Sequence, residues 1–403
     1  MKLDLKKYDL PVALFLILNP LIGFSLFFIY IYFYEVPASI WILFLVMCAA
    51  TNLSITAGYH RLFAHRSYET NALARFLLLV VGSSAFQGSA LKWSSDHRRH
   101  HAFIDTDKDP YSIEKGFWFA HMGWLFLKSS VDLEIKAPDL EKDPMVKNQD
   151  KYYLVWSILS GFLVPLLIGW LMGAPVAGLI ILGSLRIFFT QQSTFFVNSL
   201  CHTLGKQTYS KEISARDSVI VAFLTHGEGY HNFHHQFQYD YRNGIKWYHW
   251  DPTKWVILVM RVLGWAKKLK TIPQQEILKA KLNAEAKWLE NKGYSQEKIE
   301  QLKIKILEAQ TQFRNLKLEY KLKKDMWKQM SEDKLAELRS NSSDRLTEMR
   351  ANSTERINEF KHQISELKLQ VDELKLRMEK AKVEIKFSMQ EWRIYLNNAA
   401  SFA

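Results

Sequence analysis

The sequence has very few cysteines, and this excludes two common kinds of site. Among its 403 residues only Cys48 and Cys201 are cysteines. Two thiols so far apart do not make a disulfide framework, and they offer no thiolate cluster to a metal. A reducing compartment is the simpler interpretation, and any metal must be held by other side chains.

Charge is almost missing from four long apolar runs. Each run is about 20 residues long, the length that a helix needs to cross a bilayer. Short turns at residues 35–37 and 173–175 join the runs into two hairpins. The sequence therefore predicts an all-α membrane protein with four transmembrane helices, at 12–34, 40–57, 153–172 and 176–197.

Lysine and arginine are absent from the two turns but frequent in residues 1–7, 61–152 and 202–275. Because membrane proteins keep such residues on the cytoplasmic side, both termini and these loops are predicted to be cytoplasmic. The net charge of +12 does not indicate nucleic-acid binding, since the basic residues flank apolar runs. A basic surface of this kind would attract anionic lipid headgroups.

Two shorter apolar segments, 72–86 and 255–265, predict buried or interfacial helices in a cytoplasmic helical cap. After residue 273 the chain becomes rich in Lys, Glu, Gln and Leu, with one helix break at 293–295. Apolar residues spaced by three and four from Ile299 to Tyr320 predict a coiled coil. An eleven-residue repeat over 335–367 predicts a nearly straight or slightly right-handed portion.

Nine of the thirteen histidines lie in or beside the loops predicted to be cytoplasmic. They form one H-x4-H cluster and two H-x2-H-H clusters, with one further histidine between the second and third. Residues three and four apart share a helix face, so each triplet is expected to converge. The nine are His60 and His65, then His97, His100 and His101, then His202, then His231, His234 and His235.

His60 and His65 are five residues apart, which turns them about 140° from one another on an ideal α-helix. Both can be ligands only if the helix ends between them or if they serve different metals. Nine imidazoles exceed the four to six ligands of one transition ion, so two metals are predicted. The H-E-x-x-H motif of zinc hydrolases is absent, which favours non-haem iron and oxygen chemistry.

The remaining histidines, at 121, 226, 249 and 362, are interpreted as ordinary core or surface residues. Asn198 lies one helical turn before His202 and can face the same site.

Five strings resemble those of the membrane fatty-acyl desaturases, in particular the stearoyl-CoA (delta-9) type. The resemblance covers about residues 1–270. The strings are GYHRLFAHRSY (58–68), WSSDHRRHHAFIDTDKDP (93–110), GFWFAHMGWLF (116–126), NSLCHTLG (198–205) and GEGYHNFHHQFQYDY (227–241).

The resemblance implies a four-span desaturase domain at 1–270, whose cytoplasmic cap holds two irons, and a coiled-coil extension at 271–403. It implies that the nine histidines are the ligands and that Asn198 reaches one iron through water. It also implies substrate contacts at Gln87, Trp93 and Thr194 in a bent tunnel, and at Asp96 and Lys128 near coenzyme A.

The implied reaction uses O2 and two external electrons to place a cis double bond, expected at delta-9, in a long saturated acyl chain. Ser95 and Ser129 stand where that family usually has basic residues, so the carrier is left as acyl-CoA, an acyl-lipid or another thioester. The alternatives are a di-iron lipid hydroxylase or monooxygenase, and an inactive membrane-anchored coiled-coil scaffold.

No H-P-G-G string of a fused haem domain occurs, so a separate electron donor is expected, either a ferredoxin or a b-type cytochrome with its reductase. This absence and the compact loops favour a bacterial inner (plasma) membrane. The extension is expected to drive self-association or to recruit a partner.

Overall fold

The computed structural model describes residues 5–128, 136–340 and 349–401, and the predicted all-α class is confirmed. The chain divides into two compact units, Met1–Pro273 and Gln274–Ala403. The first unit begins with a short 3-10 helix at Leu5–Lys7.

Four helices of the first unit are long and apolar enough to cross a membrane, as predicted. They are Leu10–Phe33, Ala38–Ala64, Tyr153–Leu171 and Pro175–Thr203. The second and fourth run past the predicted ends at residues 57 and 197, because the helix continues where the apolar run stops. These added turns carry His60 and His202 into the site.

Three of the spans change from α-helical to π-helical geometry along their length. We label the first span α1 and the α-helical part of the second α2. The π segments are Ile55–Ala64, Leu159–Leu163 and Gly178–Leu185. The α-helical parts are α2 (Ala38–Ser54), α8 (Tyr153–Ile158), α9 (Val164–Leu171), α10 (Pro175–Ala177) and α11 (Arg186–Thr203).

The cap contains the short helices that lie between and after the spans. Asn71 and Ser89 accept hydrogen bonds from Ala74 N and Lys92 N, so α3 and α4 begin with side-chain N-caps. The helices are α3 (Ala72–Ser83), α4 (Ala90–Phe103), α5 (Phe117–His121), α6 (Pro138–Glu141), α7 (Pro144–Lys151), α12 (Val219–Leu224), α13 (His231–Gln236) and α14 (Pro252–Val262).

Three small elements complete the cap. Two are 3-10 helices, Ile113–Lys115 and Gly123–Phe126. The third is a two-stranded antiparallel sheet, in which Glu69–Thr70 pairs with Ala266–Lys267. The helix predicted at 255–265 begins earlier, because Asp251 caps it and Pro252 starts it, and it ends at Val262.

Arg186 lies in the fourth span, and its guanidinium is buried among neutral partners. Its Nη1 lies 3.1 Å from Thr51 Oγ1 and 3.2 Å from Ser84 Oγ. Its Nη2 donates to the carbonyl oxygens of Ser84 and Gly161, at 3.1 and 3.3 Å. One cation therefore joins the second, third and fourth spans to the end of α3.

The second unit consists of α15 (Gln274–Asn291), α16 (Gln296–Ser340) and α17 (Met349–Ser401). Gly293 has a φ of +83° between α15 and α16, at the predicted helix break. Contacts of Lys305 with Glu391 and of Lys323 with Gln370 show that α16 and α17 run antiparallel.

Most of the predicted heptad residues of α16 are buried within the chain, and Phe313 and Tyr320 are partly buried. Ile299, Leu302 and Ile306 pack in one core with Trp392 of α17. Further along, Leu316 packs with Leu374 and Ala381. The coiled-coil seam is therefore filled by this chain's own α17. Residues 341–348, in the eleven-residue repeat, lie outside the described residues.

Candidate metal centre

Nitrogen atoms of the nine predicted histidines converge in two groups. Within each group the candidate ligand atoms all lie within 4.8 Å of one another. The first group holds five residues, His60, His65, His97, His101 and His234, and the second holds four, His100, His202, His231 and His235. Their role as metal ligands stays a prediction, but no backbone rearrangement is needed to bring them together.

Each H-x2-H-H triplet is divided between the groups. In α4, His97 and His101 belong to the first group and His100 to the second. In α13 the division is reversed, with only His234 in the first group. Both triplets use one helix face, as expected. In each triplet the two histidines that are four residues apart belong to one group. The histidine between them, His100 in α4 and His234 in α13, belongs to the other group.

The π-helical segment explains how His60 and His65 can face the same place. His65 N donates to His60 O at 3.0 Å, an i→i+5 bond of the π-helical type. This geometry brings the fifth residue back toward the first, and their rings lie 4.7 Å apart. The helix ends at Ala64, just before His65. The two histidines therefore belong to one group, not to different ones.

Buried carboxylates hold the outer nitrogens of one imidazole in each group. His60 Nδ1 lies 2.9 Å from Glu228 Oε2, and His100 Nδ1 lies 2.9 Å from both oxygens of Asp109. All four side chains are buried. Such a carboxylate fixes the tautomer with the proton on Nδ1 and leaves Nε2 free to bind a metal.

A hydroxyl performs the same task for His202. Its Nδ1 donates to Ser214 Oγ at 2.6 Å, and Ser214 Oγ in turn donates to Asp105 at 2.5 Å. His202 Nε2 is buried, and among the described residues it has no hydrogen-bond partner. His97 Nδ1 lies 3.0 Å from the hydroxyl of Tyr111.

Glu228 is also part of a buried ionic network. Arg61 lies 2.9 Å from Glu228 and 3.0 Å from Asp251. Burial alone would raise the pKa of Glu228, but the charges and hydrogen bonds of His60 and Arg61 lower it to about 2. The carboxylate is therefore ionised and accepts the His60 proton at every physiological pH.

The inner nitrogens face each other at distances that fit shared cations. In the first group, His234 Nε2 lies 3.0 Å from that of His60 and 3.1 Å from that of His101. In the second, His235 Nε2 lies 3.0 Å from that of His231. Nitrogens bound to one ion at about 2.1 Å stand about 3 Å apart. Where two lone pairs face one another they repel unless a cation lies between them, so the donor set fits two metal ions.

Five of the imidazoles are held in the neutral charge state that metal ligation needs. Burial, followed by the charges of neighbouring histidines, lowers the pKa of His65, His97 and His234 well below the usual 6.5. The same causes lower the pKa of His231 and His235. Neutral imidazoles are the form that binds transition metals.

Two of the predicted substrate residues are in contact, and a third lies against a histidine. Gln87 Nε2 donates to Thr194 Oγ1 at 2.9 Å, and the two residues are 107 positions apart. The ring of Trp93 stacks on that of His97 at 4.9 Å. All three are partly buried: Gln87 lies in the loop before α4, Trp93 on α4 and Thr194 on α11.

The structure does not join the two residues predicted to contact coenzyme A. Asp96 accepts a hydrogen bond from Lys92, one turn earlier in α4, at 2.8 Å. Lys128 is exposed at the end of a described segment, and Ser129 lies outside the described residues. Asn198 is half-buried on α11, one turn before His202.

The residues that hold the outer nitrogens of these histidines are not among those predicted from the sequence. Asp105 and Asp109 stand in the string DTDKDP directly after the second cluster, and Glu228 stands just before the third. The sequence did offer one signal for Glu228, because it is an acidic residue within the segment that carries the third histidine cluster. Its partner His60 cannot be identified without the fold, because 168 positions separate the two.

The chain matches the fatty acid desaturase family over residues 36–258. It is 41% identical to acyl-CoA desaturase 1 of Saccharomyces cerevisiae, over 60% of this chain and 48% of that protein. It is 39% identical to stearoyl-CoA desaturase 5 of Homo sapiens, over 60% of this chain and 76% of that protein.

The chain therefore belongs to the fatty acid desaturase family, and the resemblance carried by the histidine strings is confirmed. It is also 41% identical to a probable acyl-CoA desaturase of Schizosaccharomyces pombe, over 61% of this chain and 52% of that protein. The chain thus spans about half the length of the two yeast relatives.

Proposed function

We propose that the protein is a membrane-bound, non-haem di-iron desaturase that places a cis double bond at delta-9 in a long saturated acyl chain. The observation that carries this proposal is the pair of imidazole groups, five and four. They bring His60 and His202, which lie near the ends of two membrane-length helices, together with the histidines of α4 and α13. Histidine-rich donor sets without thiolate suit iron. Membership of the desaturase family favours iron over zinc, copper or nickel.

The reaction removes two hydrogens from neighbouring methylenes, consumes O2, two electrons and two protons, and releases two waters. Two bound irons would supply the oxidising power. The protein supplies position, because the methylenes of a long chain are nearly equal in reactivity. A misplacement of about an ångström is enough to lower the rate strongly.

Gln87, Thr194 and Trp93 are our proposed determinants of that position. The hydrogen bond between Gln87 and Thr194 holds the loop before α4 against α11, and Trp93 of α4 stacks on His97. A chain that passes these residues would lie beside the first imidazole group. Asn198, one turn from His202, would reach an iron through water.

The carrier and the electron donor belong to the same proposal. Asp96 and Lys128 would contact the headgroup end of an acyl-CoA, while Ser95 leaves an acyl-lipid as the other carrier. Electrons would come from a separate ferredoxin or b-type cytochrome. The predicted charge bias of the loops supports a multi-pass topology with both termini and the site in the cytoplasm. The bacterial inner membrane stays a prediction from the sequence.

Expression in a host that cannot make unsaturated fatty acids, followed by lipid analysis, tests this function. The expected product has a cis double bond between carbons 9 and 10. A double bond elsewhere would overturn the regiochemistry, and a hydroxylated chain would indicate the hydroxylase alternative. Purified protein should hold about two irons, as the two groups require. Absence of iron after careful loading would favour the scaffold alternative.

A matched pair of variants tests the site. His234→Ala removes an imidazole that lies 3.0 Å from His60, so activity and iron should be lost. His249→Ala removes a ring that stacks on Tyr230 outside both groups, so iron should be retained. The reverse pattern would show that the ligand assignment is wrong.

A further inference from the structure

The inner nitrogens of the two imidazole groups are packed differently. In the first group, each of the five has another inner nitrogen within 3.1 Å. In the second group, His235 Nε2 lies 3.0 Å from that of His231 and 3.3 Å from that of His100. His202 is the outlying member, because its buried Nε2 has no hydrogen-bond partner among the described residues. Its place in the second group therefore depends on what holds the rest of its ring.

A chain of hydrogen bonds holds the outer nitrogen of His202. Its Nδ1 donates to Ser214 Oγ at 2.6 Å. Asp105 binds Ser214 twice, accepting from Oγ at 2.5 Å and from the backbone N–H at 2.7 Å. Asp105 N in turn donates to Asp109 Oδ2 at 3.3 Å, and Asp109 holds Nδ1 of His100. The chain thus joins two members of the second group by their outer nitrogens.

Ser214 belongs to the loop between α11 and α12, which we call the 206–217 loop. Two backbone hydrogen bonds between Lys206 and Asp217, at 3.0 and 2.8 Å, close the loop at its base. Arg216 O accepts a hydrogen bond from His231 N at 3.3 Å, so the loop also contacts a second member of the same group. A compact loop whose ends lie together in this way is often a functional part of a protein.

Asn232 of α13 anchors the loop on both sides of Ser214. Its side chain is fully buried. Its Oδ1 accepts hydrogen bonds from the backbone N–H groups of Tyr209 and Ser210, at 2.6 and 3.1 Å. Its Nδ2 donates to the carbonyl oxygens of Ser210 and Ala215, at 2.8 and 2.9 Å. One amide therefore fixes the backbone that presents Ser214 to His202.

Different elements hold the outer nitrogens of the first group. Glu228, which also pairs with Arg61, lies 2.9 Å from Nδ1 of His60. The hydroxyl of Tyr111 lies 3.0 Å from Nδ1 of His97. Neither partner belongs to the 206–217 loop. Five closely packed imidazoles should bind an ion more tightly than four, of which one is held from a loop.

We propose that the 206–217 loop, through Ser214 and Asn232, positions His202 for the second group, and that two metal ions bind in order, the first group before the second. This inference rests on the proposed function, because it takes the two imidazole groups as the two iron sites. Without the loop's hold on His202, the second group keeps three closely spaced imidazoles and binds its ion more weakly. The first group keeps all five. Ser214 and Asn232 are thus positioning residues that do not themselves touch a metal.

Titration of the metal-free, full-length protein in detergent with ferrous iron under nitrogen tests the proposal, with bound iron per chain as the readout. The unaltered chain should bind two ions in two unequal steps. Amide hydrogen exchange in the 206–217 loop should slow during the weaker step, because an ion that fixes His202 also fixes Ser214. The tighter step should leave that exchange unchanged.

Ser214→Ala should weaken the second step by about 10- to 100-fold, the usual effect of losing the partner of a ligating histidine, and should leave the tighter step intact. Retention of the tighter step also shows that the variant folds. Ser214→Thr keeps the hydroxyl and should restore the weaker step. Asn232→Ala removes the anchor of the loop and should weaken the same step as Ser214→Ala.

Two further variants make the assignment specific. Ser210→Ala removes a hydroxyl of the same loop that lies 3.4 Å from Glu212 N, and this variant should bind both ions as the unaltered chain does. Glu228→Gln should weaken the tighter step instead, because Glu228 holds a histidine of the first group.

The proposal is overturned if the unaltered chain binds two ions with equal affinity, or if Ser214→Ala leaves the weaker step unchanged or weakens both steps alike. It is also overturned if Ser214→Thr does not restore the weaker step, or if Asn232→Ala acts on the tighter one. In these cases iron still binds, so the proposed function stands. An unaltered chain that binds no iron would instead remove the proposed metal centre, and this inference with it.

Discussion

At the residue scale, the geometry of the candidate metal centre depends on side chains that would not themselves touch a metal. Glu228 and Asp109 hold the outer nitrogens of His60 and His100, and Ser214 holds that of His202. These partners determine which nitrogen carries the proton and therefore which nitrogen faces inward. The nine imidazoles alone would not define the site.

Glu228→Gln should weaken iron binding by about 10- to 100-fold, the usual effect of losing a partner of a ligating histidine. The amide keeps the size of the side chain but removes the charge that orients His60 and compensates Arg61. Titration of metal-free protein with ferrous iron measures the effect. Glu69→Gln is the matched control, since Glu69 pairs with exposed lysines. Equal affinity for ferrous iron in the Glu228→Gln and Glu69→Gln variants would contradict the proposed role of Glu228 in orienting His60.

The buried histidines should make the metal-free protein sensitive to acid. Burial lowers the pKa of His65, His97 and His231 well below 6.5, whereas in the unfolded chain they titrate near 6.5. Below pH 6.5 the unfolded state therefore binds more protons, and stability should fall by about 1.4 kcal/mol per pH unit for each such histidine. Thermal midpoints at pH 5.5 and 7.5 measure this. A midpoint that rises toward acid would contradict it.

The sequence was sufficient to predict that the nine histidines converge, but not which side chains hold their outer nitrogens. Clusters such as H-x2-H-H are local, and helical geometry alone places their members on one face. The contacts of Glu228 with His60 and of Ser214 with Asp105 join distant segments, so they depend on tertiary packing. The division of each histidine triplet between two groups also depends on tertiary packing.

At the element scale, the π-helical segments are where sequence reasoning was limited. An ideal α-helix turns His60 and His65 apart, and the sequence gives no sign that Ile55–Ala64 adopts i→i+5 bonds. The ends of the second and fourth spans were misplaced for a related reason. Hydropathy locates the part of a helix that lies in lipid, whereas these helices continue into the cap.

The second hairpin of spans depends on two glycines. A Cβ added to Gly178 would lie 2.6 Å from Pro165 O and 2.7 Å from the Cα of Gly169. Since backbone atoms cannot yield, Gly178→Val should push the third and fourth spans apart and lower the thermal midpoint of the detergent-solubilised protein.

Gly173 provides the control for that change. It has a φ of +75° in the turn, and a Cβ there would meet nothing within 4 Å. Asn tolerates this backbone conformation, so Gly173→Asn should cost much less than Gly178→Val. If both variants had the same midpoint as the unaltered protein, close packing at Gly178 would not hold the hairpin together.

At the scale of the whole molecule, the family match and the candidate metal site lie in the first unit, while the second unit has cores of its own. Residues 36–258 match the desaturase family, and the second unit begins at Gln274. Leu282, Leu289 and Ile306 pack within the second unit. The molecule thus combines a desaturase-family domain with a helical unit that has cores of its own.

The charge bias of the loops predicts one topology for the first unit, with the histidine groups in the cytoplasm. In a chain whose Cys48 and Cys201 are replaced by serine, Glu35→Cys should react with a membrane-impermeant maleimide on intact cells, because the turn after α1 would face outward. Lys246→Cys, an exposed position beside the third histidine cluster, should react only after the cells are opened. Labelling in the opposite order would place the histidines outside, away from a cytoplasmic electron donor, and would overturn both the topology and the proposed supply of electrons.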